Sequence, residues 1–120
     1  MKREFIFFIR DIEEAIESIL KFVGNMNFND FCEDEKTQSA VVWKIAVIGE
    51  AAKNIPPSVK TKYKDIPWRS MAGIRDKISH FYFGLDYSIV WAVVKKELPE
   101  LKPRIERILQ EIDEETIAVK

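Results

Sequence analysis

The sequence predicts an all-α fold, an up-and-down bundle of four to five helices. Apolar residues recur at helical spacing in several long stretches, and no stretch shows the two-residue alternation typical of strands. Only 4 glycines and 5 prolines occur among 120 residues, which disfavours a turn-rich β fold. With 47% apolar and 32% charged residues, the composition is that of a globular protein rather than a disordered one. Residues 1–120 are therefore expected to form a single domain.

The first predicted helix covers Phe5–Val23. Its apolar positions form one stripe, and most of its charged positions lie on the opposite face. Gly24 and Asn25 are the predicted stop signals, because glycine and asparagine tolerate the left-handed conformation that often ends a helix. A short helical turn is expected at Phe28–Cys32, before the next long helix.

The second long helix is predicted over about Glu35–Asn54, with apolar residues on more than one face. Gly49 lies inside this helix, where glycine costs roughly 1 kcal/mol relative to alanine. A close approach of a neighbouring helix best explains it. Glu50 follows among small and apolar residues, and a carboxylate that is buried there would need a partner. Two interpretations remain open, an exposed edge position or an ion pair with Arg75 or a nearby cation.

Adjacent prolines at Pro56-Pro57 end this helix, because neither residue has a backbone N–H to donate. Ser58–Tyr63 is expected to form a short helix or turn. The third main helix is predicted to start at Asp65 or Ile66, with a proline in its first turn. Its apolar residues continue at helical spacing as far as Phe81, so one helix is expected to span this stretch.

Asp86 is the predicted N-cap of the next helix, Tyr87–Leu98. Two prolines follow it and are expected to kink or restart the chain. The last helix is predicted at about Glu100–Ile112, with one apolar stripe. The tail from Asp113 is expected to be frayed, as chain ends often are.

Composition also limits the function. The net charge of −1 argues against a protein coated with basic residues for long nucleic acids. Cys32 is the single cysteine, so no intrachain disulfide can form and a reducing compartment fits. One cysteine and one histidine argue against a zinc site within one chain, and no cofactor is expected. The apolar patch at Phe5–Ile9 is too short for a signal sequence or a membrane span, so a cytoplasmic protein is expected.

Residues 75–82 hold the side chains best suited to chemistry, including the only histidine of the chain, His80. At about 100° per residue, Arg75 and Tyr82 share a helix face, and so do Asp76 and His80. Asp76 can orient the imidazole and favour its charged form. Arg75 and His80 lie about 140° apart on an ideal helix. They converge only where the helix ends or distorts, or where a second subunit supplies one of them.

This set of side chains can cleave RNA without a metal ion. A histidine can take the proton of a ribose 2′-hydroxyl, and an arginine can hold the phosphate and stabilise the charge of the transition state. Cleavage normally needs both a base and an acid, and one histidine per chain cannot easily be both. Two chains related by a two-fold axis could, so the chemistry indicates a homodimer with a shared cleft. From spacing alone, an arginine, a histidine and a tyrosine at a helix end are more often structural than catalytic.

The sequence around this site resembles a known family. Arg75, four residues, His80 and then Tyr82 match the Arg-x4-His-x-Tyr signature of HEPN-domain ribonucleases. The surrounding sequence is similar to the HepT toxins of the HepT/MntA toxin–antitoxin system over about Phe5–Ile112. The segments that carry this similarity are Ile48-Gly49-Glu50-Ala51-Ala52, Ile66-Pro67-Trp68, Gly73-Ile74-Arg75-Asp76, His80-Phe81-Tyr82-Phe83-Gly84, Ile89-Val90-Trp91 and Leu98-Pro99.

The resemblance implies a helical homodimer whose cleft joins two copies of the signature, with Arg75 and His80 as the catalytic pair. Asp76 occupies the polar position that often follows the arginine, and Glu50 is a second supporting residue. The implied partner is a small nucleotidyltransferase antitoxin of the MntA type. It neutralises the toxin by transferring AMP to Tyr82, which places negative charge where the RNA phosphate must bind.

A small patch is expected to recruit the RNA, formed by Lys53, Arg69 and Lys77 beside Arg75. The near-zero net charge leaves no reason to expect a larger basic surface. The alternative function is that of a non-catalytic helical module, in which the same motif holds a dimer or binds a nucleotide or a partner protein.

Overall fold

The computed structural model describes the backbone of residues 2–78 and 86–119, and the side chains of residues 5–78 and 86–114. All regular structure in these ranges is helical, which confirms the predicted all-α class. None of the helices described is both long and apolar enough to cross a membrane. The elements are α1 Lys2–Val23, α2 Phe28–Cys32, α3 Glu35–Lys53, α4 Pro57–Lys62, α5 Trp68–Ala72, α6 Ile74–Ile78, α7 Tyr87–Ala92, a π segment Val93–Glu97 and α8 Leu98–Val119.

The core forms where α1, α3 and α8 pack together. The central part of the predicted stripe of α1 is buried, and Ile12, Ile16 and Ile19 expose none of their surface. They pack with the buried face of α3, which includes Ile45, and α8 also packs against α1. Full burial of one such side chain contributes roughly 1.5–3 kcal/mol. Gly24 follows α1 with φ 52°, in the left-handed region, which confirms it as the stop.

The third main helix differs from the prediction, because the chain forms two short helices, α5 and α6, on either side of Gly73. The N–H of Gly73 donates to the carbonyl oxygen of Arg69 at 3.1 Å, and its own carbonyl accepts from Asp76 at 3.1 Å. Glycine weakens a helix interior, and both short helices pack against α3. The break could not be predicted from the apolar residues, because their helical spacing continues on both sides of Gly73. The predicted end at Phe81 lies outside the described residues.

Of the two effects expected of Pro99 and Pro103, a kink or a restart of the chain, the restart is wrong. From α7 the chain passes through the π segment, Val93–Glu97, directly into α8, and Pro103 lies inside that helix. Helix α8 begins at Leu98, two residues before the predicted start at Glu100. Pro99 lies in the first turn of α8, directly after the π segment. Burial of the apolar stripe of α8 offsets the hydrogen bond lost at Pro103.

The expected fraying from Asp113 is also wrong, since α8 continues to Val119. Contacts distant in sequence tie this helix to the rest of the fold. The hydroxyl of Tyr63 donates to Oε1 of Glu111 at 3.1 Å. This contact fixes α8 at Glu111, just before the residues that were expected to fray.

Candidate active site

Arg75 and Asp76 lie on α6 with their side chains exposed, whereas Ile74 and Ile78 of the same helix are buried. The two isoleucines fix the helix to the core, and this leaves the charged pair on its outer face. Within the described part of the chain, Arg75 forms no ion pair and no side-chain hydrogen bond. Its guanidinium group is exposed to solvent and has the geometry that suits a phosphate or carboxylate.

Gly49 positions the two short helices that lead to this site. A Cβ atom built on Gly49 would lie 3.2 Å from the carbonyl oxygen of Met71 and 3.5 Å from Cγ2 of Ile74. A residue without a side chain lets α3 approach α5 and α6 this closely without displacing either of them. The predicted close approach of a neighbouring helix is confirmed, and the neighbour is the pair of helices that carries Arg75.

Trp68 fixes the start of α5. Its side chain is 6% exposed, and its indole N–H donates to the carbonyl oxygen of Tyr63 at 3.0 Å. A buried indole nitrogen needs such a partner. Helix α5 is thus held at both ends, by Trp68 against the end of α4 and by Met71 against α3.

His80 and Tyr82 lie outside the described residues, so their predicted roles stay predictions. A backbone hydrogen bond connects Ile78 and Asp86, the described residues on either side of residues 79–85. The backbone N–H of Asp86 donates to the carbonyl oxygen of Ile78 at 3.2 Å. The end of α6 and the start of α7 therefore meet at one place, and Arg75 lies less than one turn before it.

Asp86 is the N-cap of α7, as predicted. Its Oδ1 accepts hydrogen bonds from the hydroxyl of Ser88 at 2.5 Å and from the N–H of Ile89 at 3.3 Å. The Ser88 hydroxyl and then the backbone N–H groups hold the pKa of this carboxyl below its usual range. The cap therefore stabilises the fold at neutral pH, and this stability is lost as the pH falls through the lowered pKa.

Glu50 occupies an exposed position on α3, so the first of the two interpretations is confirmed. Its carboxylate forms no ion pair with Arg75 or with any other residue that the structure describes. The residue before it, Gly49, faces α5 and α6, and one helical step of about 100° turns Glu50 away from them. The proposed ion pair with Arg75 is wrong for this reason.

Lys77, expected to bind RNA, pairs with Glu97 at 3.4 Å between Nζ and Oε2. Both side chains are about half exposed, so the pair contributes about 0–1 kcal/mol at most. Glu97 is the last residue of the π segment, and such segments often occur at functional sites. Sequence analysis missed Glu97, because no local pattern predicts a π segment.

The other two cations of the predicted patch are exposed, Lys53 at the end of α3 and Arg69 on α5. Arg69 lines an open depression between α4 and α5, together with Lys60 and Lys64. Sequence analysis did not select these two lysines. A local concentration of positive charge was visible in the sequence, since lysine occupies every second position from residue 60 to 64.

Comparisons with known proteins identify the family to which the chain belongs. A family model described as "Ribonuclease HepT-like" matches residues 12–108. A protein of Thermococcus cleftensis named "Probable ribonuclease HepT" is 46% identical over 108 residues, which is 90% of this chain and 98% of that protein. A Methanocaldococcus jannaschii protein named "Putative RNase" is 41% identical over 114 residues, covering 95% of this chain and 94% of its own length.

A third relative, from Caldanaerobacter subterraneus and also named "Putative RNase", is 38% identical over 103 residues, which is 86% of this chain and 92% of that protein. No solved structure matches the chain significantly. The helical fold and the family model together define a protein of the ribonuclease class. The chain belongs to the HepT-like ribonuclease family, which confirms the resemblance found in the sequence.

Proposed function

We propose that this chain is the toxin of a toxin–antitoxin system and cleaves RNA internally without a metal ion. The observation that carries the proposal is the family match over residues 12–108, which includes Arg75 and His80. The exposed guanidinium of Arg75 supports it, because a phosphate-binding group must be open to solvent. The protein acts as a single domain in the cytoplasm.

The reaction follows from the two proposed catalytic residues. His80 takes the proton of a ribose 2′-hydroxyl, and the 2′-oxygen attacks the neighbouring phosphorus. The P–O5′ bond breaks, and the leaving O5′ takes a proton. The products are a 2′,3′-cyclic phosphate and a free 5′-hydroxyl. Arg75 stabilises the charge that develops on the phosphate oxygens, and Asp76 orients His80. Glu50 is a supporting residue that does not contact the reacting atoms.

A homodimer completes this chemistry. Each chain has one histidine, and the reaction uses one proton acceptor and one proton donor. With two chains around a two-fold axis, one imidazole takes the proton of the 2′-hydroxyl and the other protonates the leaving oxygen. Lys53, Arg69 and Lys77 contact RNA phosphates beside the cleft.

We expect the purified protein to cleave single-stranded RNA in the presence of EDTA, because no step of this mechanism uses a metal ion. The measurement is the appearance of fragments that end in a 2′,3′-cyclic phosphate, identified by mass spectrometry. An unmodified, dimeric protein that leaves RNA intact, with or without magnesium, would remove the nuclease proposal and favour the non-catalytic binding module.

The antitoxin partner we propose is a nucleotidyltransferase of the MntA type. It transfers AMP from a nucleoside triphosphate to the phenol oxygen of Tyr82. A new P–O bond forms, pyrophosphate leaves, and the phenol loses its proton. The attached phosphate brings negative charge into the region where the RNA phosphate binds, and the charges repel each other.

We expect co-expression with such a partner to add the mass of one or more AMP groups to the chain. Tandem mass spectrometry should place AMP on Tyr82, and Tyr82→Phe should remain unmodified and resist neutralisation. Complete neutralisation of the parent with an unmodified Tyr82 would contradict this mechanism. Tyr87→Phe, in the first turn of α7, is the matched control and should behave like the parent.

A further inference from the structure

An open depression of about 510 Å³ lies between α4 and α5. Apolar side chains, including Ile66, Pro67 and Trp68, form part of its lining, and the cations Lys60, Lys64 and Arg69 also line it. This combination suits a nucleotide, whose base and ribose offer apolar faces and whose phosphate carries negative charge. An acidic peptide has the charge but lacks a planar face for the apolar surface.

The three cations of this depression are not neutralised within the described part of the chain, where none of them forms an ion pair. The nearest acid in the sequence, Asp65, is paired elsewhere. Its carboxylate lies 2.9 Å from Arg107 of α8, and its carbonyl oxygen accepts a hydrogen bond from Arg104 at 2.8 Å. The local positive charge is therefore available to an external anion.

Charge is strongly segregated along the chain, although the net charge is only −1. Seven basic and two acidic residues lie between Lys53 and Lys77, whereas two basic and eight acidic residues lie between Arg10 and Glu35. A concentrated positive region attracts polyanions and raises their association rate. The balanced total therefore hides a region with the electrostatic character of a nucleic-acid surface.

This region continues directly into the candidate active site. Arg69 of the depression and Arg75 of the signature are six residues apart, on α5 and α6, and both are exposed. Both short helices pack against α3. A strand whose scissile phosphate binds Arg75 thus has Arg69 on the adjoining helix, and Arg69 lines the depression together with Lys60 and Lys64.

We infer that the depression between α4 and α5 binds a nucleotide of the RNA substrate that flanks the scissile phosphate. Lys60 and Lys64, with Arg69, contact phosphate oxygens, and the ribose or base lies over the apolar lining. Phosphate contacts carry no sequence information, so this subsite sets affinity and register rather than base preference. The inference rests on the proposed ribonuclease function, because it identifies the anion as the RNA that Arg75 and His80 cleave.

The test reverses the charge of Lys60 and Lys64. Lys60→Glu/Lys64→Glu is compared with Lys21→Glu/Lys36→Glu, which changes the net charge equally but at exposed positions near the other end of α3. Dissociation constants for a fluorescent single-stranded RNA are measured at several salt concentrations in a His80→Ala background, which prevents cleavage. Loss of two phosphate contacts should weaken binding by about 25-fold at 0.1 M salt and lower the salt slope by about 1.4.

The control pair should leave the salt slope unchanged and, in a protein that retains His80, should also leave kcat and KM unchanged. The depression pair should raise KM for RNA in that protein, because its two lysines contact the substrate. Lys60→Gln/Lys64→Gln is the milder variant, and circular dichroism checks the fold of each. Equal RNA affinity for the depression variant and its control would overturn the inference. This holds even if the depression variant no longer binds the antitoxin. In that case, cleavage of RNA by the parent would still support the nuclease proposal. If the parent never cleaves RNA but the Lys60/Lys64 variant binds RNA more weakly, only the RNA-binding subsite would be supported.

Discussion

Replacing His80 by alanine should lower kcat for RNA cleavage by about 10²- to 10⁴-fold, the usual contribution of a general base. The affinity for RNA should change little, because the imidazole moves a proton and is not the main phosphate contact. Single-turnover cleavage in EDTA measures the loss, and RNA binding is measured separately. Cleavage at the parental rate by a folded His80→Ala protein would show that another group acts as the base.

Arg75→Ala should lower kcat by about 10²- to 10³-fold, as expected for loss of a donor that stabilises the transition state. Arg75→Lys keeps the charge but loses the planar, two-pronged geometry, so it should recover only part of the rate. Arg10→Ala is the matched control, since Arg10 is an exposed arginine on α1. A rate for Arg75→Ala equal to that of the control would refute the proposed role of Arg75.

Gly49→Val should lower the free energy of unfolding by about 1–3 kcal/mol, the usual cost of overpacking. The new side chain would enter a space in which a Cβ already lies 3.2 Å from the carbonyl oxygen of Met71. Gly49→Ala should cost less, because roughly 1 kcal/mol of helix propensity opposes the clash. Urea denaturation followed by circular dichroism measures both changes.

Gly73→Ala is the matched control for this series. A Cβ on Gly73 would lie 3.6 Å from the nearest atom, the carbonyl oxygen of Arg69, which is an ordinary contact. Its φ of −94° also suits alanine. Because Gly49→Val should displace α5 and α6, we also expect a lower kcat from the shift of Arg75. A Gly49→Val protein as stable and as active as Gly73→Ala would show that the close approach is unimportant.

Several features of the fold could be predicted because their causes lie within a few residues. The apolar stripe of α1, the N-cap at Asp86 and the stop at Gly24 depend on helical periodicity, on side-chain capping and on backbone freedom. The approach at Gly49 followed from the cost of glycine inside a helix, which only packing can offset. The sequence did not identify which helix approaches.

The candidate site was predicted in part, from the signature residues and their resemblance to a family. Exposure of Arg75 and Glu50 depends on how α3 and α6 turn relative to their neighbours, which periodicity indicates only loosely. The pair of Lys77 and Glu97 joins residues 20 positions apart through a π segment, whose extra residue per turn shifts every later side chain on the helix. Local sequence patterns could not reveal that pair.

By itself, the sequence determined the helical class, the family and the identity of the chemical groups, because these depend on residue type and on short-range spacing. Only the tertiary structure decided the break at Gly73, the continuous helix through Pro103 and the grouping of Lys60 and Lys64 with Arg69. Each of these depends on free energies of packing and pairing between helices. These free energies of packing and pairing are similar in size to local helix propensities. They prevail where buried apolar surface or a partner distant in sequence offsets the local cost.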